Sequence, residues 1–406
     1  MQGRTIKLWI TYLDLILVLI LVSLGCSEEP VILEDLQQIE RLVSSNQISD
    51  ASSKLNLIDQ QGLDNENKAF LRYQFARISY KEKNYSNTMS ICDVIIQNHP
   101  GTAKAASAKY LKGYAVLKSG NRSAARIYFK SFIDEHPQHH AAPDASLRYA
   151  FLTYTEPDVS LKEKKTAFEN VVQLCPDSAE SYEARKSLAA IAWFESEEQK
   201  TLDRKSRVTQ MYDDLEKDAQ TDSDRGYAAM QKAALALETE RTLADTKEEY
   251  KINYNLVIAM CDRALDMTPE SDKKTRATAD LIKSECIYYS QSKQEALNSF
   301  KTLLGKYSQE KDCQTPCSFA EYMIAMIYMK CEDYDNAQEH FKKILTDYKS
   351  ATNYKHNNIQ ALSYFWLANI ASKNGQTDLA KQYLNQLNTE YPESLEAKMR
   401  FFALER

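Results

Sequence analysis

Proline and glycine are scarce: the 406 residues contain nine of each. That scarcity removes the turn-rich composition of an all-β chain. An excess of positive charge is also missing. The net charge is −6, and without a basic stripe the chain is not a general nucleic-acid binder. No G-x-S-x-G, phosphate-cradling glycine loop or H-E-x-x-H occurs, and the carboxylates are scattered over polar helix faces with no pairing pattern. Four-cysteine metal spacing is absent. These absences leave no catalytic residue, cofactor, metal ligand or small-molecule substrate to expect. Long apolar runs are confined to one place, Leu15 to Gly25 (LILVLILVSLG). The run is shorter than the roughly 17–25 residues a membrane-spanning helix needs, and Asp14 blocks its extension.

What is present is helical. Apolar residues make up 43% and charged residues 27%, which suits a folded, soluble, helical chain. From Ile32 onward one pattern recurs: an apolar helix, a short polar turn, a second apolar helix, then a breaker. The clearest copy runs from Ala106 to Pro137. Gly113 permits a close helix approach, and Gly120-Asn121 supply a turn because both tolerate left-handed dihedrals. Ala125, Phe129 and Phe132 fall at i, i+4, i+7 on one helical face, and Pro137 ends the second helix. Ala76, Tyr85, Ile95 and Pro100 repeat this register before it, and Phe168, Val171 and Pro176 after it. Ala296, Phe300 and Leu303 do so further on, with Ser308 in the proline position. Ala325, Tyr334, Ala337, Phe341 and Ile344 follow, then Ala368, Gly375, Ala380, Leu384, Leu387 and Pro392. Ile48, Ala51, Leu55 and Ile58 read as the second helix of an earlier hairpin. Residues 179–272 fit poorly, with only Ala264 and Pro269 in place, and predict longer helices or inserts.

These residues resemble the tetratricopeptide repeat, a 34-residue helix–turn–helix unit. The resemblance implies an all-α, right-handed α-solenoid of about eight to nine stacked antiparallel hairpins, because one hairpin cannot bury its own apolar face. Stopping residues here lie mostly 37 to 43 apart, a longer spacing that is similar to outer-membrane assembly lipoproteins of the BamD/YfiO type. A second resemblance is local. Ser23-Leu24-Gly25-Cys26, behind the positive start Arg4 and Lys7, resembles a bacterial lipobox, although Ser23 stands where that family usually has leucine. It implies cleavage before Cys26, lipidation of that cysteine and, with Ser27 next, transfer to an outer membrane. A periplasm-facing place is the expectation, and surface exposure is the alternative because Glu28-Glu29 are similar to acidic pairs that mark surface-exposed lipoproteins. An uncleaved anchor from about Ile6 to Leu24 is the alternative.

In the repeat family the first helix of each hairpin lines a concave face that holds a peptide segment or domain of a protein partner. Carried onto this chain, that implies Tyr73, Arg77, Tyr80, Tyr110, Tyr114, Tyr149, Tyr322, Met326, Met329, Phe365 and Asn369. Tyrosine suits such a surface, being large, rigid and able to form a hydrogen bond. The alternative for each is packing between neighbouring helices. Other features read as structural. His136, His139 and His140 sit in a surface loop near Asp134 and Asp144, Lys162 to Lys165 form a solvated face, and the sequons at Asn84 and Asn121 have no role in a bacterial lipoprotein. Cys92 and Cys261 are core residues, while Cys313 and Cys317 share the loop KDCQTPC and are free to bond.

The expected organisation is a signal peptide (1–25), a lipidated tether (26–31), an N-terminal hairpin (32–67), repeats (68–178), long divergent hairpins (179–272), repeats (273–393) and a capping helix (394–406). A lipid-anchored, non-catalytic scaffold of an envelope complex is the expected function. A surface glycan-binding lipoprotein of the SusD type is the alternative, although Trp193 and Trp366 both fall in predicted helices. An enzyme, or a helper subunit of one, has no residue in its favour.

Overall fold

Helix starts along this chain are written in short polar side chains. Asp64, Asn84, Asn121, Asn253, Asp272, Asp333 and Asn358 each accept a hydrogen bond from the backbone two or three residues into the helix that follows. Ser160 with Glu163, and Ser292 with Glu295, form reciprocal capping boxes. The computed structural model describes residues 29–58, 62–199, 202–352 and 358–398. The expected signal segment, Cys26 and residues 399–406 of the closing helix lie outside the described residues.

Among the described residues there are nineteen α-helices, paired into nine hairpins with a short final helix, and no strand. Two compact units divide the chain after Ala184. The first holds α1 (Glu29–Ser44) with α2 (Ile48–Leu57), α3 (Asn65–Lys81) with α4 (Tyr85–Asn98), α5 (Ala103–Lys118) with α6 (Arg122–Glu135), and α7 (Ala142–Tyr154) with α8 (Leu161–Leu174). α9 (Ala179–Gln199) begins in the first unit and continues into the second. The second unit holds α10 (Leu202–Asp218), then α11 (Asp222–Thr246) with α12 (Tyr254–Met267), α13 (Lys273–Ser290) with α14 (Lys293–Tyr307), and α15 (Gln314–Lys330) with α16 (Tyr334–Asp347). α17 (Ile359–Lys373), α18 (Thr377–Glu390) and the short α19 (Leu395–Lys398) finish it. This is the all-α solenoid of paired hairpins.

Within each unit the first helices form a row. α1 touches α3 and α3 touches α5; in the second unit α11, α13, α15 and α17 touch in succession. Second helices pack against their own first helix and the next one. Their core residues keep one spacing. Ala125, Phe129 and Phe132 are buried, as are Ala296, Phe300 and Leu303, and Ala337, Phe341 and Ile344. Gly113 sits over the ring of Phe129, where an added Cβ would lie 3.1 Å from Cε1.

Three expectations need correction. Asn121 does not share the left-handed turn: its φ is −85° and its side chain caps α6 at the Ala124 N–H, while Gly120 alone takes φ +95°. The turn position is the same in other hairpins, occupied by Asn46 (φ 64°), Lys83 (φ 62°), Glu332 (φ 58°) and Gly375 (φ 73°). Cys313 and Cys317 are not in a loop. Cys313 ends a 3₁₀ turn (Lys311–Cys313) and Cys317 lies in the first turns of α15; both thiols are free, and burial raises them to about 11 and about 12. Helix already covers the described residues from Glu29, ahead of Ile32.

Candidate partner-binding faces

The first unit carries a closed polar network on its row of first helices. The hydroxyls of Tyr110 and Tyr114, one turn apart on α5, both donate to Oδ2 of Asp144 on α7, at 2.7 and 2.6 Å. Arg148, one turn further along α7, donates from Nε to the Tyr114 hydroxyl at 2.8 Å and from Nη2 to Asp144 Oδ1 at 3.2 Å. The rings stand on the core: Tyr114 meets Phe129 edge-on at 5.4 Å and Tyr110 meets Phe132 at 5.5 Å. Burial, then the bond to Asp144, raises both phenols above the ordinary tyrosine value, so they remain donors at any physiological pH. The Arg148 side chain is 43% exposed, and its Nη1 forms no hydrogen bond among the described residues. It therefore has donors left for a partner.

Arg77 on α3 continues the row. It donates to Gln74 Oε1 at 3.0 Å and Ser44 Oγ at 3.1 Å, with Glu40 Oε1 3.8 Å away. Lys104 lies over the rings of Phe70 and Tyr73, at 5.0 and 5.5 Å, and burial raises the Tyr73 phenol to about 12. Tyr80 is half-buried, 5.6 Å from Tyr85. Tyr149 is half-buried against the core around Phe129 and stays outside the hydrogen-bonded network.

In the second unit the expected residues are more apolar. Tyr322 lies 6.0 Å from Phe319 and from Phe341, and Met326 and Met329 are half-buried on the same cluster. Phe365 meets Trp366 edge-on at 5.5 Å, and Asn369 donates to the Phe365 carbonyl at 3.0 Å. A polar centre lies nearby in sequence but was missed: Arg241 of α11 reaches Glu285 of α13 at 2.7 Å and stands over the ring of Tyr289, which stacks on Tyr254 at 5.9 Å and 12°. Tyr289 is 53% exposed. Nothing in the one-dimensional pattern marks these residues, because they come from three helices of two hairpins.

Asp144 and Arg148 did leave a signal. A step of 34 residues from Tyr110 and Tyr114 lands on them; counting back from Phe168 and Pro176 lands on Tyr149 instead, because the α7–α8 turn is longer than the other hairpin turns of the first unit. Asp144 also does not join the histidines of the neighbouring loop, since the two phenols and Arg148 occupy its oxygens. Among the described residues no group of His, Cys, Asp or Glu is placed to hold a metal ion. Replacing Asp144 with alanine should destabilise the first unit by ~1–3 kcal/mol, since three half-buried donors lose their acceptor. Asp144→Asn should cost less because its amide oxygen still accepts. Urea unfolding of both variants measures the difference.

Two segments match tetratricopeptide-repeat family models, residues 322–346 and 362–394. No match is found among curated protein sequences. Among solved structures, the apo form of the quorum sensor NprR from B. thuringiensis is similar in fold, with 9% identity, a TM-score of 0.50, and coverage of 84% of this chain and 94% of that one. A tetratricopeptide repeat protein from Parabacteroides merdae matches with 11% identity and a TM-score of 0.47, covering 72% of this chain and 96% of that one. The matched segments cover the hairpins of α15 with α16 and of α17 with α18, and the other helices pair in the same way, so the fold of the described residues is a tetratricopeptide-like α-solenoid.

Proposed function

We propose that the chain is a lipid-anchored scaffold of a bacterial outer membrane, facing the periplasm and holding partner proteins along its first-helix faces in an assembly, export or coordination complex. The repeat solenoid is a shape suited to protein–protein scaffolding rather than to catalysis. The observation that carries the binding reading is the Tyr110–Tyr114–Asp144–Arg148 network. Its side chains are held rigid by one another, so little rotamer entropy is lost on binding, and Arg148 keeps donors free. Lipidation at Cys26 and the outer-membrane setting rest on the lipobox-like sequence alone.

A photo-reactive residue at Tyr114 or Tyr322 should cross-link a discrete protein in cells. One at Ile127, 66% exposed on a second helix, should not. Equal labelling from Ile127 sinks the first-helix assignment. Cys26→Ala should move the protein from the membrane pellet to the soluble fraction, and retention in the pellet removes the anchor. One observation favours the glycan alternative: Tyr289, 53% exposed, presents an aromatic ring at the surface, stacked on the half-buried Tyr254. A glycan array on which Tyr289→Ala loses signal would select that reading.

A further inference from the structure

His139 closes the junction between α6 and α7 as a neutral base. The Ala141 backbone N–H donates to its Nδ1 at 3.1 Å, so that nitrogen carries no proton. The ring's one proton is then on Nε2, 3.3 Å from Ser107 Oγ. Ala141 is the N-cap of α7, which has no side-chain cap, and the Ala142 N–H donates to the His139 carbonyl at 2.8 Å. His139 therefore takes two N–H groups at the start of α7, one with its ring and one with its backbone. Asp144, the α7 residue at the centre of the tyrosine–arginine network, lies within the first turn of the same helix.

A second proton on this ring meets opposition from several directions. It would sit on Nδ1 and abolish the Ala141 bond. It would place a cation at the positive end of the α7 dipole. The charged and titratable neighbours are His140, with its ring 4.1 Å away, His136 in the same loop, and Lys104 from α5. The edge of the ring also packs on Phe132 at 5.3 Å. Asp144 is the nearest carboxylate along α7, and its oxygens are engaged by Tyr110, Tyr114 and Arg148. Glu135 at the end of α6 is paired with Lys109.

We infer that the α6–α7 junction is a proton-operated latch: protonation of His139 frees the N-cap of α7 and loosens the Asp144–Arg148 half of the network, so that the first unit grips its partner less firmly in acid. The latch stands on its own geometry; only the effect on grip rests on the binding function proposed above. Burial first, then His140, His136 and Lys104, hold the folded pKa of His139 below its ordinary 6.5. The unfolded ring thus binds a proton more readily than the folded one. The stability His139 contributes is complete above the free value and is lost as pH falls below it, levelling off once the folded ring is protonated too.

Hydrogen exchange of the full chain at about pH 7.5 and about pH 5, corrected for intrinsic rates, tests this. In wild type, peptides covering 136–148 should exchange faster in acid, by about tenfold for each unit by which the folded pKa lies below the free one. Peptides covering α2 should not respond. His139→Asn offers Oδ1 as an acceptor in place of Nδ1 and does not titrate, so its junction should exchange alike at both pH values. An acid response of equal size in His139→Asn, or none in wild type, overturns the latch. Should the variant misfold, the NMR titration of the wild-type His139 ring decides, and a midpoint at or above the free value overturns it. Cross-linking from Tyr114 at the same two pH values is read separately. Exchange that responds while cross-linking does not would leave the latch intact and remove its link to binding.

Discussion

Gly226→Ala lowers the urea midpoint of the second unit, while Gly305→Ala raises it. Both glycines are inside helices, where alanine gains ~1 kcal/mol of helix propensity. At Gly305 an added Cβ meets nothing within 4 Å, so that gain is realised. At Gly226 the Cβ would stand 2.0 Å from Thr268 Oγ1 and 2.9 Å from Thr268 Cα. Side-chain rotation cannot clear the Cα, so the end of α12 must shift, and the Thr268 bond to the Ala264 carbonyl at 2.6 Å is disturbed with it. Overpacking of a tight core costs typically ~1–3 kcal/mol and more against backbone, which exceeds the propensity gain. Thr268→Ala should not rescue the variant, since the obstructing Cα remains. Equal stabilisation by both alanines would mean that α11 and α12 do not approach as described.

A larger loss is expected at Phe341. Its ring is fully buried in the cluster that joins α13 to α17, beside Tyr322. Phe341→Ala should cost ~3–5 kcal/mol and Phe341→Leu much less, because leucine refills most of the space. In a repeat array each hairpin is stabilised mainly by its neighbours, so this loss weakens the α15–α18 hairpins together. An unfolding transition of the C-terminal hairpins should then separate from the rest, visible as earlier exchange of α15–α18 amides. Leu395→Ala, at a 63% exposed position, is the control and should change stability by no more than ~0.5 kcal/mol. A single cooperative transition in Phe341→Ala, with an undiminished midpoint, would contradict the packing.

Much of the fold was legible because its rule is local. A second helix needs a small residue, then a large one four later, then another three on, all on one face, and that spacing survives when the residue types change. The segment from 179 to 272 illustrates what was overlooked. Val208, Tyr212 and Leu215 are buried at the same spacing, as are Val257, Cys261 and Ala264. They were unreadable as repeats because tyrosine or cysteine replaces the usual phenylalanine, and because α11, at 25 residues, displaces the register of stopping residues. Thr88, Cys92 and Ile95 of α4 follow the same rule with equally untypical residues.

The sequence by itself determined the helices, their pairing and the faces they bury, since periodicity, caps and breakers act within a few residues of one another. It also placed most of the tyrosines on the first helices. Only the tertiary structure decided which of those tyrosines have partners. Asp144 and Arg148 meet Tyr110 and Tyr114 because α7 stacks beside α5, and a longer turn between α7 and α8 shifts the count from which a linear reading would find them. Arg241, Glu285 and Tyr289 come together in the same way across α11 and α13. The strength of a hydrogen bond or ion pair depends on distances between helices, and those distances follow from how neighbouring hairpins stack, which no spacing along one helix records.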